Sequence, residues 1–216
     1  MLARRLGPGK LRLLLVALSP TLLSSCVVFK SPLSDVNGAI DEHLLGTWRP
    51  ADARHPTDFT FVGRCDHLNP GLGPMAAVQV FIDKDKRVWS RDPVYFFPTT
   101  LGSNHYLNFV YDLAPRAAKD GRQQSRDDGK AASRGHLFAK YVLDGDCLTI
   151  WFMEMDGFED RVRQGLLRGE VREEGSLLKV KVVTVTDSTT SLQRFIQDND
   201  AVLFPKEKGG VFRRMK

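Results

Sequence analysis

The side chains best suited to chemistry in this chain are three cysteines and five histidines, since thiols and imidazoles act as nucleophiles and as metal ligands. Cys65 and His67 lie two positions apart, a spacing that puts both side chains on one face of a strand. A structural zinc site needs four ligands, and no second cluster accompanies this pair. The sequence therefore predicts no metal and no cofactor, and it favours a loop in which Cys65 is buried or bridged.

The other histidines do not suggest a catalytic group. They are spread along the chain: His43, His55, His105 and His136. The Gly-x-Ser-x-Gly turn that holds the nucleophile of many serine hydrolases is absent from the sequence. No catalytic residue is assigned, and a non-enzymatic protein is expected.

The first 25 residues have the organisation of an export signal. A basic segment over 4–12 precedes an apolar segment over 13–23. The apolar segment is too short, and too interrupted by Pro20, to make a comfortable membrane span. We therefore expect residues 1–25 to be a signal peptide that is removed from the mature protein.

The apolar segment ends in Leu23-Ser24-Ser25-Cys26, which resembles the lipobox of bacterial lipoproteins: a branched apolar residue, two small residues and a cysteine. The resemblance implies that Cys26 becomes the first residue, with a diacylglycerol on its thiol and a further acyl chain on its amino group. Each buried CH₂ contributes about 0.8 kcal/mol, so several chains hold a protein firmly on a bilayer. An ordinary secretory signal with a chance cysteine nearby is the alternative.

The residues after the lipobox predict a tether. Residues 26–40 contain serine, proline and glycine, which is typical of a linker that lifts a domain off the lipid surface. Val27 stands where an aspartate would favour the inner membrane, so the resemblance implies an outer-membrane protein facing the periplasm. The folded domain is then expected at 41–216.

The charge of the chain does not suggest a nucleic-acid partner. Four of its 31 basic side chains lie in the first 25 residues, which leaves 27 basic side chains against 26 acidic ones. The apparent basicity therefore belongs mostly to the signal segment. A nucleic-acid-binding protein needs a basic stripe in its folded part.

Cys65 and Cys147 raise the question of a disulfide, because an oxidising periplasm permits one. A bridge between them would close a loop of about 80 residues and stabilise the fold by roughly 4 kcal/mol in the chain-entropy model. Alternatively, Cys147 opens an apolar strand and is a small buried side chain. The sequence leaves both alternatives open.

Alternating apolar and polar residues predict a mostly β domain. The candidate strands are 45–48, 57–62, 76–82, 87–97, 105–112, 137–143, 147–154, 178–186 and 211–215. Asp144-Gly145-Asp146 separates two of them and is typical of a tight hairpin. Residues 114–135 carry dense charge and no apolar side chain larger than alanine, which predicts a mobile loop.

Two short helices are predicted among the strands. Over 157–168 the apolar residues Phe158, Val162 and Leu166 recur every four positions. Over 188–198 Leu192, Phe195 and Ile196 form an apolar stripe. Thr190 and Gln193, at the start of this helix, have the spacing of a capping box. In the strand at 178–186, alternate positions beginning at Leu178 are expected to face the core.

Leu45-Gly46-Thr47-Trp48 resembles the Gly-x-Trp signature of lipocalins and lipocalin-like bacterial proteins. The resemblance implies a lipocalin-like antiparallel β-barrel with two short accessory helices. It also implies that Trp48 closes one end of the barrel and that an arginine of the last strand packs across its ring. Arg213 is the expected arginine, with Arg214 as the alternate.

The aromatic residues bear on what such a barrel does. Those expected to line or fill it are Trp89, Tyr95, Phe96, Phe97, Tyr106, Phe109 and Trp151. Small barrels are usually filled, whereas larger ones hold one ligand. We therefore expect a lipid-anchored envelope protein that binds a small apolar ligand or another envelope protein. The alternative is an enzyme acting on an envelope lipid or isoprenoid inside the barrel, with His105 and Tyr106 as its first candidates.

Overall fold

A computed structural model describes residues 25–35, 40–52, 58–65, 73–82, 88–112, 134–174 and 180–216. The strands in these ranges are β1 (Ser25–Phe29), β2 (Gly46–Pro50), β3 (Phe59–Arg64), β4 (Met75–Ile82), β5 (Val88–Ser90), β6 (Val94–Leu101), β7 (Asn104–Asp112), β8 (Arg134–Asp144), β9 (Cys147–Phe152), β10 (Gly169–Glu174), β11 (Val180–Val185) and β12 (Gly210–Arg214). The α-helices are α1 (Phe158–Arg163), α2 (Thr189–Asp198) and α3 (Asp200–Leu203), and 3-10 turns cover Glu42–Leu44 and Lys206–Lys208.

Eight of the strands close into an antiparallel barrel. They pair in the order β8-β7-β6-β4-β3-β2-β12-β9, and β9 pairs again with β8. Closure satisfies the backbone of strands that would otherwise have a free edge. The structure confirms the predicted fold class, a mostly β protein built on a lipocalin-like antiparallel barrel with short accessory helices.

The remaining strands extend this sheet from β8, apart from β5, which pairs with the far end of β4. The long strand β8 pairs with β9 over residues 139–144 and with β1 at His136. β1 pairs with β11 in parallel, and β11 pairs with β10. A parallel pair joins segments far apart in the chain, so local patterning did not reveal it.

The amino-terminal segment differs from the predicted tether. Residues 26–40 were expected to lift the domain off a surface, yet Val27, Val28, Phe29 and Leu33 are all buried. The reason is the run of β-branched and aromatic residues, which pairs with β11 and covers apolar surface outside the barrel. The described residues 26–35 of the predicted tether therefore belong to the fold, although the side chains of Cys26, Lys30 and Asp35 are exposed.

A buried polar network fastens the chain just after β1. The side-chain oxygen of Asn108 accepts a hydrogen bond from the backbone N–H of Leu33 at 2.7 Å. The amide nitrogen of Asn108 donates to Thr99 at 2.7 Å, and the Gln193 side chain donates to the Leu33 carbonyl at 2.7 Å. A buried amide that is satisfied in this way stabilises one arrangement of its surroundings.

Two apolar cores flank the barrel wall. The inner core fills part of the barrel and contains Leu44, Trp48, Val62, Met75, Phe96, Leu107, Tyr141 and Leu148. The outer core lies between the wall, β1, β11 and the helices. There Phe29 packs against Phe138 at 4.7 Å between ring centroids and edge-on against Phe158 at 5.5 Å.

The hairpin prediction is confirmed, whereas the β11 prediction is wrong about the faces. Gly145 has a φ of 56°, which glycine adopts at little cost, in the turn between β8 and β9. In β11, Val183 and Val185 are fully buried, so the odd-numbered residues face the outer core. Pairing with β1 and β10 on both edges fixes this register, which alternation alone left ambiguous by one residue.

The helix predictions are correct for α2 and partly wrong for the region 157–168. There α1 ends at Arg163, Leu166 is 68% exposed instead of packing inward, and β10 begins at Gly169. The cap of α2 is Ser188, whose hydroxyl accepts from the Ser191 N–H at 3.3 Å, rather than the predicted pair at 190 and 193. The predicted loop at 114–135 lies outside the described residues except for 134 and 135, which begin β8.

Candidate functional site

One end of the barrel is sealed by a tryptophan and an arginine. Trp48 is 1% exposed, and the Arg214 guanidinium lies 4.2 Å from the centroid of its ring. The guanidinium also donates to the carbonyls of Leu45 and His43, at 2.6 and 2.5 Å. The indole N–H of Trp48 donates to the Leu44 carbonyl at 2.8 Å. This cation–π pair with its backbone acceptors closes the end of the barrel near the hairpin between β8 and β9.

The arginine on Trp48 is Arg214, whereas the sequence predicted Arg213. Strand pairing gives the reason, because β12 places Arg214 directly opposite Trp48 and Arg213 opposite Arg49. Directly opposite residues share a face of the sheet, so Arg214 points into the barrel with the tryptophan and Arg213 points outward. The alternate assignment is therefore the correct one.

A buried tyrosine completes the closed end. The Tyr141 hydroxyl donates to the Asp41 carboxylate at 2.7 Å. Burial, and then the hydrogen bond and charge of Asp41, raise the pKa of Tyr141 above its usual value. The phenol therefore stays protonated and serves as a structural donor. It ties the segment before β2 to the barrel wall.

The opposite end of the barrel presents apolar side chains to solvent. Phe152 lies at the end of β9, directly opposite Ala139, and shares its face with the inner-core residue Leu148. Its ring stacks on Phe109 at 5.8 Å, yet Phe152 is 56% exposed. Val94 begins β6 on the same inner face and is 43% exposed. This open end, defined here by Phe109, Phe152 and Val94, is the candidate functional site.

The predicted aromatic set is divided between the two sides of the wall. Phe96 and Phe109 belong to the interior. Four others pack outside it: Tyr95, Phe97, Tyr106 and Trp151. The side chain of Trp89 lies outside the described part. Sequence reasoning missed Phe152, although its alternation with Leu148 and Ile150 on one strand was a readable signal.

The two residues suggested for an enzyme do not meet. His105 and Tyr106 are neighbours on β7 and therefore point to opposite faces of the wall. The Tyr106 hydroxyl donates to Asp200 at 2.7 Å beneath α3, and Lys140 pairs with the same carboxylate at 2.5 Å. Burial, followed by the hydrogen bond that Tyr106 donates to Asp200, raises the pKa of Tyr106. Tyr106 thus fastens a helix to the barrel.

The three cysteines lie in different environments. Cys26 is exposed on β1, opposite Val182 of β11. The buried Cys65 thiol donates to the Gly73 carbonyl at 3.4 Å, and Cys147 is half-buried at the start of β9. In the structure Cys65 and Cys147 are not joined by a disulfide.

Neither a metal site nor a membrane-spanning helix is present in the ranges of residues that the structure describes. Across the described residues, no cluster of three or more histidine, cysteine, aspartate or glutamate side chains is arranged to hold a metal ion. His55 and His67 lie outside those ranges. None of the helices that the structure describes has the length and apolar character needed to cross a bilayer.

Comparisons with known proteins return no relative. No family model matches the chain, no curated protein matches it, and no solved structure matches it.

Proposed function

We propose that this protein is a lipid-anchored component of a bacterial cell envelope whose barrel binds a small apolar ligand at its open end. The observation that carries the ligand proposal is the exposure of Phe152 on the inward face of a strand. An inward-facing phenylalanine in a closed barrel is normally buried, and an exposed apolar surface is typical of an interaction site.

The side chains exposed at the open end are apolar, which favours an apolar ligand over a polar one. The stacked rings of Phe109 and Phe152 offer a flat apolar surface at the open end. Phe109 packs against the inner core, which holds this surface in place. A ligand that covered Phe152 would bury the exposed half of a large aromatic side chain, which is worth about 1 kcal/mol.

The anchor rests on the lipobox-like residues that end at Cys26. This cysteine is exposed, so its thiol is accessible to a modifying enzyme at the outer surface of the sheet. The residues before Ser25 lie outside the described part of the chain. An outer-membrane location, facing the periplasm, follows from the residue after Cys26 and belongs to the same proposal.

No observation favours the enzyme alternative, because its two candidate residues lie on opposite faces of the wall. Binding of an envelope protein is the second candidate, and the exposed outer-face residue Phe61 favours it. Phe61 is 49% exposed and stands directly opposite Val78 on β4. The two candidates therefore use different faces of the barrel and can be separated by substitution.

The test is titration of the full chain with N-phenyl-1-naphthylamine, a neutral apolar probe that fluoresces when bound. We expect Phe152→Asp to weaken probe binding at least tenfold, which corresponds to about 1.4 kcal/mol. Phe61→Asp is the matched control, since it places the same charge on an exposed outer-face phenylalanine. Equal affinities for the Phe152 variant and the unmodified chain would contradict ligand binding at the open end.

The anchor has its own test. The mass of protein extracted from membranes of an expressing Gram-negative cell should correspond to a chain that begins at Cys26 and carries acyl chains. Cys26→Ala should leave the protein unacylated and release it from the membrane fraction. An unmodified Cys26 in membrane-extracted protein would overturn the anchor without affecting the ligand proposal.

A further inference from the structure

A groove of about 440 Å³ runs along the outer face of β2 and β12. Its lining includes two arginines that are not part of the closed end, Arg49 and Arg213, and its apolar surface includes Ala51 and Met215. Strand alternation places Arg49 and Arg213 on the outer face of the wall, and none of the residues that define the open end lines the groove.

The two arginines of the groove form a cross-strand pair of like charges, which is unfavourable in a sheet. Arg213 is directly opposite Arg49 in the antiparallel pair of β12 and β2. Like charges in that position repel each other and destabilise the sheet. Within the part of the chain that the structure describes, neither guanidinium forms an ion pair or a side-chain hydrogen bond. Arg214, by contrast, lies 3.5 Å from Asp146 and donates to two carbonyls.

The burial of Arg49 makes its uncompensated charge more costly. Arg49 is half-buried, and its Nε atom is buried without a hydrogen-bond acceptor. A charge that is partly removed from water attracts an opposite charge more strongly than an exposed one. Guanidinium groups also present their donors in a planar fork that matches the oxygens of a carboxylate or phosphate.

We propose that this groove is a binding site for an oxyanion, a phosphate or phosphate ester, that bridges Arg49 and Arg213. The bound anion replaces the repulsion between the two arginines with two attractions. Ala51 and Met215 offer apolar contact to an organic group attached to the phosphate. The phosphate is either free in solution or part of an anionic lipid headgroup.

The first experiment measures thermal unfolding of the full chain with and without inorganic phosphate, with sodium chloride added to equalise ionic strength. Phosphate at about ten times its Kd should raise Tm by about 4 °C. The double variant Arg49→Gln and Arg213→Gln should lose this shift. It should remain at least as stable as the unmodified chain when phosphate is absent, because the repulsion is gone.

Arg194→Gln is the matched control, because Arg194 is an exposed arginine on α2, remote from the groove in sequence and on a different element. It should keep the full phosphate shift. A shift that is equal in the double variant, or lost equally in the Arg194 variant, would overturn the proposal, since the effect would then come from overall charge.

A second experiment separates the two sources of phosphate. The mature chain, residues 26–216 with Cys26→Ala, lacks both the leader and the thiol expected to be acylated, and it is mixed with vesicles of phosphatidylglycerol or of phosphatidylcholine. Binding to phosphatidylglycerol alone, abolished by the double variant, assigns the site to an anionic lipid headgroup. A Tm shift with inorganic phosphate but no vesicle binding assigns it to a soluble phosphate. If the chain shows neither vesicle binding nor a Tm shift with phosphate, the proposed site is wrong.

Discussion

At one end of the barrel Trp48 is almost fully buried beneath Arg214, whereas at the other end Phe152 is more than half exposed on top of Phe109. Both are aromatic side chains on inward faces of the same wall. The closed end adds polar groups from outside the strands: the Asp41 carboxylate accepts from Tyr141, and backbone carbonyls accept from Arg214. Aromatic residues alone therefore do not seal this barrel; the sealed end is the one where polar partners cover the rings.

The largest effect should come from removing the closed-end tryptophan. Trp48→Ala deletes a buried ring and leaves a cavity, so we expect a loss of about 3–5 kcal/mol in the free energy of unfolding. Chemical denaturation monitored by circular dichroism measures it. Phe152→Ala is the comparison at the open end. A similar loss in both variants would contradict the difference between the two ends.

The arginine of the closed end should come next. Arg214→Gln removes the cation–π contact and leaves two backbone carbonyls without their donor, so we expect a loss of about 1–3 kcal/mol. Arg213→Gln changes the adjacent residue with the same change in charge and should stay within about 0.5 kcal/mol. If the two variants were equally unstable, the assignment of Arg214 to the closed end would be incorrect.

The pH dependence of stability should reveal the tyrosine of the closed end. The pKa of Tyr141 is raised on folding, so the unfolded chain releases this proton first as pH increases above the ordinary tyrosine value of 10.0. The stabilisation is complete below that pH and is lost as pH rises toward the folded-state pKa. Tyr141→Phe should therefore show a shallower loss of stability between about pH 10 and 11.

The comparison for that experiment is Tyr106→Phe, because the pKa of Tyr106 is also raised by burial and by Asp200. Each variant should remove part of the alkaline slope, measured by urea denaturation at several pH values. An unchanged slope in both variants would show that the two phenols do not govern alkaline stability.

The smallest effect should be at the open end. Phe152→Ser removes an apolar side chain that is mostly in contact with water, so the free energy of unfolding should change by less than about 1 kcal/mol. Differential scanning calorimetry of the ligand-free chain provides the measurement. A loss of several kcal/mol would show that Phe152 is a core residue and would remove the basis of the open end as a site.

The sequence predicted those features that depend on local pattern. The β alternation, the Asp-Gly hairpin and the helix at 188–198 follow from side-chain period and turn chemistry, and the structure has all three. Choosing between Arg213 and Arg214 required the strand register, because adjacent residues of a strand point to opposite faces of the sheet. The burial of Val27 and Phe29 needed a partner strand more than 150 residues away.

The candidate site could be predicted only in part from the sequence, because it also depends on which strands pair. Phe109 was recognised among the aromatic residues. The contact between Phe152 and Phe109, however, depends on the strand pairing that places Phe152 opposite Ala139. The opposition of Arg49 and Arg213 is likewise a property of two strands from the two ends of the domain. Sequence alone does not determine which residues of distant strands are neighbours.

The parallel pair of β1 and β11 has a consequence for the order in which the molecule is made. Ser31 and Leu33, just after the first strand, are hydrogen-bonded to Asp187 and Gln193, and β1 pairs with β11, so much of what holds the beginning of the domain is absent until most of the polypeptide has been synthesised. Contacts so distant in sequence form slowly, because a long loop must close first. The cysteine of the first strand therefore stays accessible to enzymes throughout synthesis, and docking of that strand is expected to be among the last events of folding.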